Sequence, residues 1–178
     1  MEIKAATSSA LVEAACRLRY DVFVEEMGDR RYANDDRRLH VDSFDHPGDN
    51  IYVAIDCQKV VGTLRLIVCQ DGPYIQEELC GYPELAAILG IQQEQLLLHA
   101  GFTTRCAVAM SHRGQGLFSL LQDHLEIDAR RRNLRYIISV VAEHNDPSYA
   151  LFTKRGFFKY HQATFANGWV GKCICKIL

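Results

Sequence analysis

Apolar positions along the chain change their period several times, and each change marks an element. Leu11, Ala14, Ala15, Leu18, Val22 and Phe23 recur at helical spacing. With Ser8 or Ser9 as N-cap they predict one helix from about Ser8 to Met27. A short strand, IKAA, precedes it. GDRRYANDDRR has no periodicity and reads as a charged loop that is mobile or folds around a ligand. NIYVAID and KVVGTLRLIV are β-rich runs joined by Asp56-Cys57-Gln58-Lys59, an antiparallel hairpin. Asp71-Gly72-Pro73 marks a turn, and helical character follows to about Gln95. LLLHAGFTTRCAVAM predicts a long strand, Gly114 to Arg132 a helix, and LRYIISVVAE a buried strand. Pro147 opens a short helix that ends at Gly156. FFKYHQATF and WVGKCICKI close as a hairpin around Asn167-Gly168.

The order is strand, helix, hairpin, insert, strand, helix, strand, helix, hairpin. It predicts an α/β (α+β) chain, with a central mixed, mostly antiparallel sheet flanked by helices. At 178 residues, the expectation is a single domain over 1–178, with 71–95 as a helical insert. The insert carries Leu79, Tyr82, Leu85, Ile88 and Leu89, which wall a pocket or pad the core.

Composition narrows the partners. A formal net charge of -2, with no basic-aromatic surface motif, argues against nucleic acid. No run of about 18 apolar residues occurs, so no membrane span is expected. MEIKAATSSALVEAAC carries Glu2, Lys4 and Glu13 and does not read as a secretory signal. Seven scattered cysteines without a C-x-x-C pair predict reduced thiols in the cytoplasm and no metal.

The candidate chemistry starts at SHRGQGLF, between a strand and a helix. A helix N-terminus leaves backbone N–H groups unpaired and favours anions. Gly114 and Gly116 would let a phosphate approach those groups, and Arg113 adds positive charge. The other reading is a glycine turn with a solvated arginine.

The stretch from Ala107 to Phe157 resembles the core of the GNAT acyltransferase superfamily: Ala107-Val108, the loop Arg113 to Phe118, Asn145, and Gly156-Phe157. The resemblance implies a GNAT fold and an acyl thioester donor, acyl-CoA or acyl carrier protein. Its pyrophosphate would lie on the loop formed by Arg113, Gly114, Gln115, Gly116, Leu117 and Phe118. Its pantetheine arm would follow Val108, Ala109 and Met110, with Asn145 on the neighbouring segment. Phe118 stands where many members have Gly or Ala. Phe152 stands where many have a tyrosine acid, and Tyr149, one helical turn earlier, is a substitute acid or a packing tyrosine. Phe102 stands where many have a glutamate base. Glu143 and His144 are the catalytic candidates in its place, with His99 at the strand start, and a water-mediated base is the alternative.

The first half is similar to acyl-homoserine-lactone synthases and N-acyl amino acid synthases: Arg19, Val22 and Phe23, then Asp42 and Asp45, then Gly62, Arg65 and Leu66, with Arg105 further on. The resemblance implies substrate contacts at Arg19, Phe23, Arg65, Phe102, Thr104 and Arg105. Charges in such apolar stretches must pair when buried, so an Arg/Asp cluster tying the first helix to the hairpin is the structural alternative. Arg130, Arg131, Arg132 and Arg135 sit at a helix end, where cations suit the dipole. They would otherwise form a docking patch for carrier protein or for a CoA phosphate.

The expected activity is transfer of a medium or long acyl group from a thioester to the amine of a small metabolite such as an amino acid. The alternatives are an ordinary acetyl-CoA-dependent N-acetyltransferase and a non-catalytic acyl-thioester-binding module.

Overall fold

Strand β1 (Glu2–Ala5) pairs antiparallel with β4 (Ile51–Asp56), Glu2 opposite Ile55 and Ala5 opposite Tyr52. β4 continues into β5 (Lys59–Val68) through a two-residue turn. Cys57 and Gln58 both take positive φ there, 45° and 65°, as the tight turn that matches strand twist requires. The hairpin read from the sequence is therefore present. The computed structural model describes residues 1–48, 50–69, 80–165 and 168–178. The predicted turn at Asp71-Gly72-Pro73, Leu79, and Asn167 of the closing turn lie outside the described residues.

Two compact units divide the chain, Met1–Leu66 with Thr104–Asp128, and Ile67–Thr103 with Ala129–Leu178. Among the described residues seven strands form one sheet, mostly antiparallel as expected, in the order β1, β4, β5, β6 (Ala100–Val108), β7 (Tyr136–Ala142), β9 (Val170–Ile177) and β8 (Phe158–Thr164).

In the first unit, helix α1 (Ser9–Arg19) is capped by the Ser8 hydroxyl, which accepts from Leu11 N–H at 3.3 Å. Val12, Ala15 and Cys16 of α1 pack with Ala6, Leu39, Ile51 and Val53. The predicted helix does not continue regularly to Met27. From Tyr20 to Glu26 it widens into a π-helical stretch, a geometry frequently found at functional sites. The charged run after it is not a featureless loop. It forms a small hairpin, β2 (Ala33–Asn34) with β3 (Leu39–His40). Asp29 with Arg31, Asp35 with Arg30, and Arg38 with Asp21 and Glu25 pin it. Each such exposed pair contributes at most about 1 kcal/mol. Helix α4 (Leu117–Arg131) lies against β5 where Gly62 leaves room. A Cβ there would sit 3.0 Å from Leu117 Cδ2 and Leu121 Cδ1.

In the second unit, α2 (Tyr82–Leu89) and α3 (Gln93–Leu98) precede β6 (Ala100–Val108). The LLL run expected in a strand is the end of α3. The helical character read to about Gln95 runs on to Leu98, from a start held by a capping box at Gln92 and Gln95. β6 pairs in parallel with β7 (Tyr136–Ala142) over Ala100–Phe102 and Tyr136–Ile138. Beyond that ladder the Ser139 hydroxyl donates to Thr103 O at 2.9 Å. β7 pairs antiparallel with β9 (Val170–Ile177), and β9 with β8 (Phe158–Thr164). Helix α5 (Asp146–Lys154) is capped by Asn145 Oδ1, which accepts from Ser148 N–H at 3.2 Å. Cys80, Tyr82, Leu85, Leu96, Phe102, Ile138, Cys173 and Cys175 form the core of this unit.

Candidate active site

The glycine turn departs from the helix predicted over Gly114 to Arg132. β6 ends at Val108, Met110–His112 make one tight 3-10 turn, and α4 begins only at Leu117. Gly114 and Gly116 have φ of 75° and 77°, which no helical residue adopts and which glycine reaches without strain. Among the described residues nothing lies within 4 Å of a Cβ built on either. Their outer face is open, as close approach of a phosphate requires. Leu117 and Phe118, by contrast, are buried. Their side chains serve packing, and only their backbone faces the loop's task. Met110 is exposed.

The charged side chains of this loop are already engaged. Arg113 Nε donates to Val108 O at 3.0 Å, and its Nη2 donates to Glu26 Oε2 at 2.6 Å. The Ser111 hydroxyl lies 2.9 Å from His112 Nδ1, and His112 Nε2 lies 3.3 Å from Asp56 Oδ2. The guanidinium of Arg113 thus turns back onto the end of β6 and the π-helical stretch.

A second feature of the same unit is a buried ion cluster. Arg65 Nη1 donates to Asp42 Oδ1 at 2.6 Å and to Asp45 Oδ1 at 2.8 Å, and its Nη2 donates to Asp42 Oδ2 at 2.9 Å. Arg19 Nη1 donates to Asp45 Oδ1 at 2.6 Å. Arg105 Nη2 donates to Asp42 Oδ2 at 2.8 Å. The side chains of Arg19 and Arg65 are 0% exposed, Asp45 1%, Asp42 9% and Arg105 12%. Desolvation alone would raise Asp42, but the Arg65 hydrogen bonds and charge, then those of Arg105 and the Phe44 N–H, hold its carboxyl well below the usual range. The same balance, with Arg19 and Arg65 opposing desolvation, lowers Asp45. Among the described residues three guanidinium groups meet two carboxylates, a surplus of one positive charge. Among the described residues Arg19 Nε and Nη2 are buried without a hydrogen-bond partner.

Aromatic rings line this cluster. Arg105 lies over the Tyr32 ring at 4.1 Å and Arg65 over Phe44 at 5.6 Å. Arg105 holds φ at 56° within β6, a left-handed conformation costly for a residue with a side chain of this size. Its hydrogen bonds to Asp42 and the Tyr32 contact keep it there. His40 is 1% exposed, between the rings of Phe23 at 5.0 Å and Tyr32 at 5.6 Å. Neither of its ring nitrogens has a partner among the described residues. Desolvation, then the charges of Arg105 and Arg19, push its pKa down to about 4, so the ring is neutral near pH 7.

The structure sorts the residues singled out from sequence. It brings Arg19, Asp42, Asp45, Arg65 and Arg105 together and puts half-buried Phe23 beside them through His40. Thr104 precedes Arg105 on β6 and is half-buried. Arg19 and Arg65, expected against substrate, are fully buried and held by carboxylates, and Arg105 is the most exposed of the three guanidinium groups. Phe102 is 2% exposed in the core of the second unit and fills space there. His99 is not on the strand at all. It ends α3, with Nδ1 3.2 Å from Asn133 O. Glu143 and His144 are exposed after β7. Phe152 stacks on Phe157 at 4.9 Å, and Tyr149 lies under Lys172 at 4.7 Å. Arg130 and Arg135 line an open cleft of about 460 Å³ with His99 and Asn133. His40, Tyr32 and Glu26 were missed. Glu26 falls in the predicted helix, Tyr32 in the charged run and His40 just after it, and no local signal sets any of them apart.

The sequence matches the Acetyltransferase (GNAT) family over residues 12–157. The chain belongs to that family and is an acyltransferase of its type. Among solved structures it is similar to a CoA-dependent acyl-homoserine lactone synthase, BjaI, with SAM and isopentyl-CoA. That likeness has 22% identity, covers 97% of this chain and 80% of that one, and has a TM-score of 0.67. It is also similar to TofI in a ternary complex with an inhibitor and MTA, at 19% identity, 98% and 90% coverage and a TM-score of 0.67. A ribosomal-protein-alanine N-acetyltransferase from Brucella melitensis shares 20% identity over the full length of both chains, with a TM-score of 0.61. Identities this low speak to the fold. No curated protein matches the sequence. Among the described residues no helix is long and apolar enough to cross a membrane, and no group of three or more His, Cys, Asp or Glu is arranged to hold a metal ion.

Proposed function

We propose that this protein transfers a medium or long acyl group from a CoA or carrier-protein thioester to the amine of a small metabolite bearing a carboxylate, such as an amino acid. The observation that carries the acceptor is the surplus positive charge of the buried cluster. Arg105 is its most open guanidinium, at 12% exposure, and the exposed rings of Tyr32 and Phe44 flank the cluster. A carboxylate brought to Arg105 neutralises that charge in a poorly solvated place, where the interaction is strong. The open glycine turn supports a donor phosphate at the backbone N–H groups of Gly114 to Phe118, with Val108, Ala109 and Met110 along the arm. In the reaction the amine nitrogen attacks the thioester carbonyl, the thiolate leaves, and the amine proton passes to solvent or thiolate. An ordered water would carry that proton, the water-mediated alternative to a side-chain base. The seven unbridged thiols fit a reducing, cytoplasmic compartment.

Calorimetric titration with acetyl-CoA, a long-chain acyl-CoA and a long-chain acyl carrier protein tests the donor. Tight binding of a long acyl donor alone is expected. Tight binding of acetyl-CoA would make the protein a general acetyltransferase instead. An amine panel then tests the acceptor: amino acids should turn over and their decarboxylated amines should not. Equal turnover of both would remove Arg105 as the carboxylate partner.

A further inference from the structure

Arg113 has its guanidinium committed before any donor arrives. Of its nitrogens, Nε is held by Val108 O and Nη2 by Glu26 Oε2. Glu26 ends the π-helical stretch, and three residues before it Phe23 lies against His40. The chain leaves this stretch through Gly28, with φ of 73°, and Asp29 N–H donates back to Phe23 O at 2.7 Å. The Arg113 side chain is 43% exposed and Glu26 27%. Their pair is thus open to solvent and weak by itself. A donor phosphate on the glycine turn must nevertheless meet Arg113 with a carboxylate already on it.

The geometry points to Glu26 as an intramolecular competitor for the donor's phosphate, which sets donor affinity by occupying Arg113 until the phosphate displaces it. This rests on the proposed placement of the donor phosphate on the glycine turn. A guanidinium can bond phosphate or carboxylate through two parallel N–H groups, but Glu26 accepts from Nη2 alone, and a phosphate of higher charge attracts the guanidinium more strongly. A carboxylate left beside that phosphate is repelled. Displacement therefore frees the end of the segment that carries Phe23. Multiply charged donors displace Glu26 best, and an acyl-pantetheine without phosphate does not displace it.

Calorimetry on the full chain decides between the alternatives, with one long-chain acyl-CoA and the matching S-acyl-pantetheine as probes. Glu26→Gln is expected to tighten acyl-CoA binding about fivefold, within the range an exposed ion pair commands. Binding of S-acyl-pantetheine should be unchanged. The gain should shrink as salt rises and vanish in the Arg113→Met background. Glu26→Ala serves as a second variant, and a thermal melt of each confirms folding. Unchanged or weaker acyl-CoA binding in both Glu26 variants overturns the competitor role, weaker binding making Glu26 a support for Arg113. If Gly116→Val also leaves acyl-CoA affinity at the wild-type value, the phosphate placement itself fails, and the inference falls with it.

Discussion

Acidification should destabilise the fold through one histidine. His40 is neutral and buried between Phe23 and Tyr32, with its pKa pushed down to about 4 by desolvation, then by Arg105 and Arg19, while Asp29 opposes them. In the unfolded chain the same ring titrates near about 6.5. Between these values the unfolded state binds the proton and the folded state does not. Stability is therefore full above about pH 6.5 and falls as the pH drops toward about 4, by at most about 1.4 kcal/mol per pH unit. Integrated from pH 8 to pH 5, a shift of this size costs about 2 kcal/mol. Urea unfolding of the wild type and of His40→Phe at both pH values measures it. Phe keeps an aromatic ring between Phe23 and Tyr32 and cannot take a proton. Groups common to both proteins, Asp42 and Asp45 included, cancel in the comparison. The wild type should lose about 2 kcal/mol more than the variant. Equal losses would mean that the His40 ring accepts a proton in the folded protein and that its burial carries no electrostatic penalty.

Two further outcomes follow from the same unit. Arg65→Met leaves the carboxylates of Asp42 and Asp45 buried with fewer partners and should lower stability by about 3 kcal/mol or more, read as the midpoint shift in thermal or urea unfolding. A loss below about 1 kcal/mol would show that water enters the cluster. Gly116→Val places a branched residue at a φ of 77° and should cost about 1–2 kcal/mol. Because the space around Gly116 is open, its larger effect should be on the ligand, at least about tenfold weaker donor binding, which is about 1.4 kcal/mol.

Much of the architecture was legible because its causes are local. Alternation in NIYVAID and KVVGTLRLIV, the cap at Ser8, Pro147 with Asn145 ahead of α5, and the glycines of SHRGQG each act within a few residues. They marked the hairpin, the helices and the glycine turn. Where local signals compete, reading failed. LLLHA fits a strand or a helix, and the capping box at Gln92 decided for a helix. Nothing in YDVFVEE announces a π-helical register, because its apolar residues suit either helix.

The site depends on the opposite kind of cause. The sequence by itself determined which charges had to be buried, since Arg19, Asp42, Asp45 and Arg65 stand in apolar surroundings. Only the tertiary structure decided how they are shared. Arg105 reaches Asp42 from 63 residues away, and Arg113 reaches Glu26 from 87. Such contacts are made when β6 is laid beside β5 and the π-helical stretch, and no window of sequence contains both partners. The surplus charge, the neutral His40 and the engaged Arg113 are balances among several groups, so they exist only once folding has brought every member of each balance together.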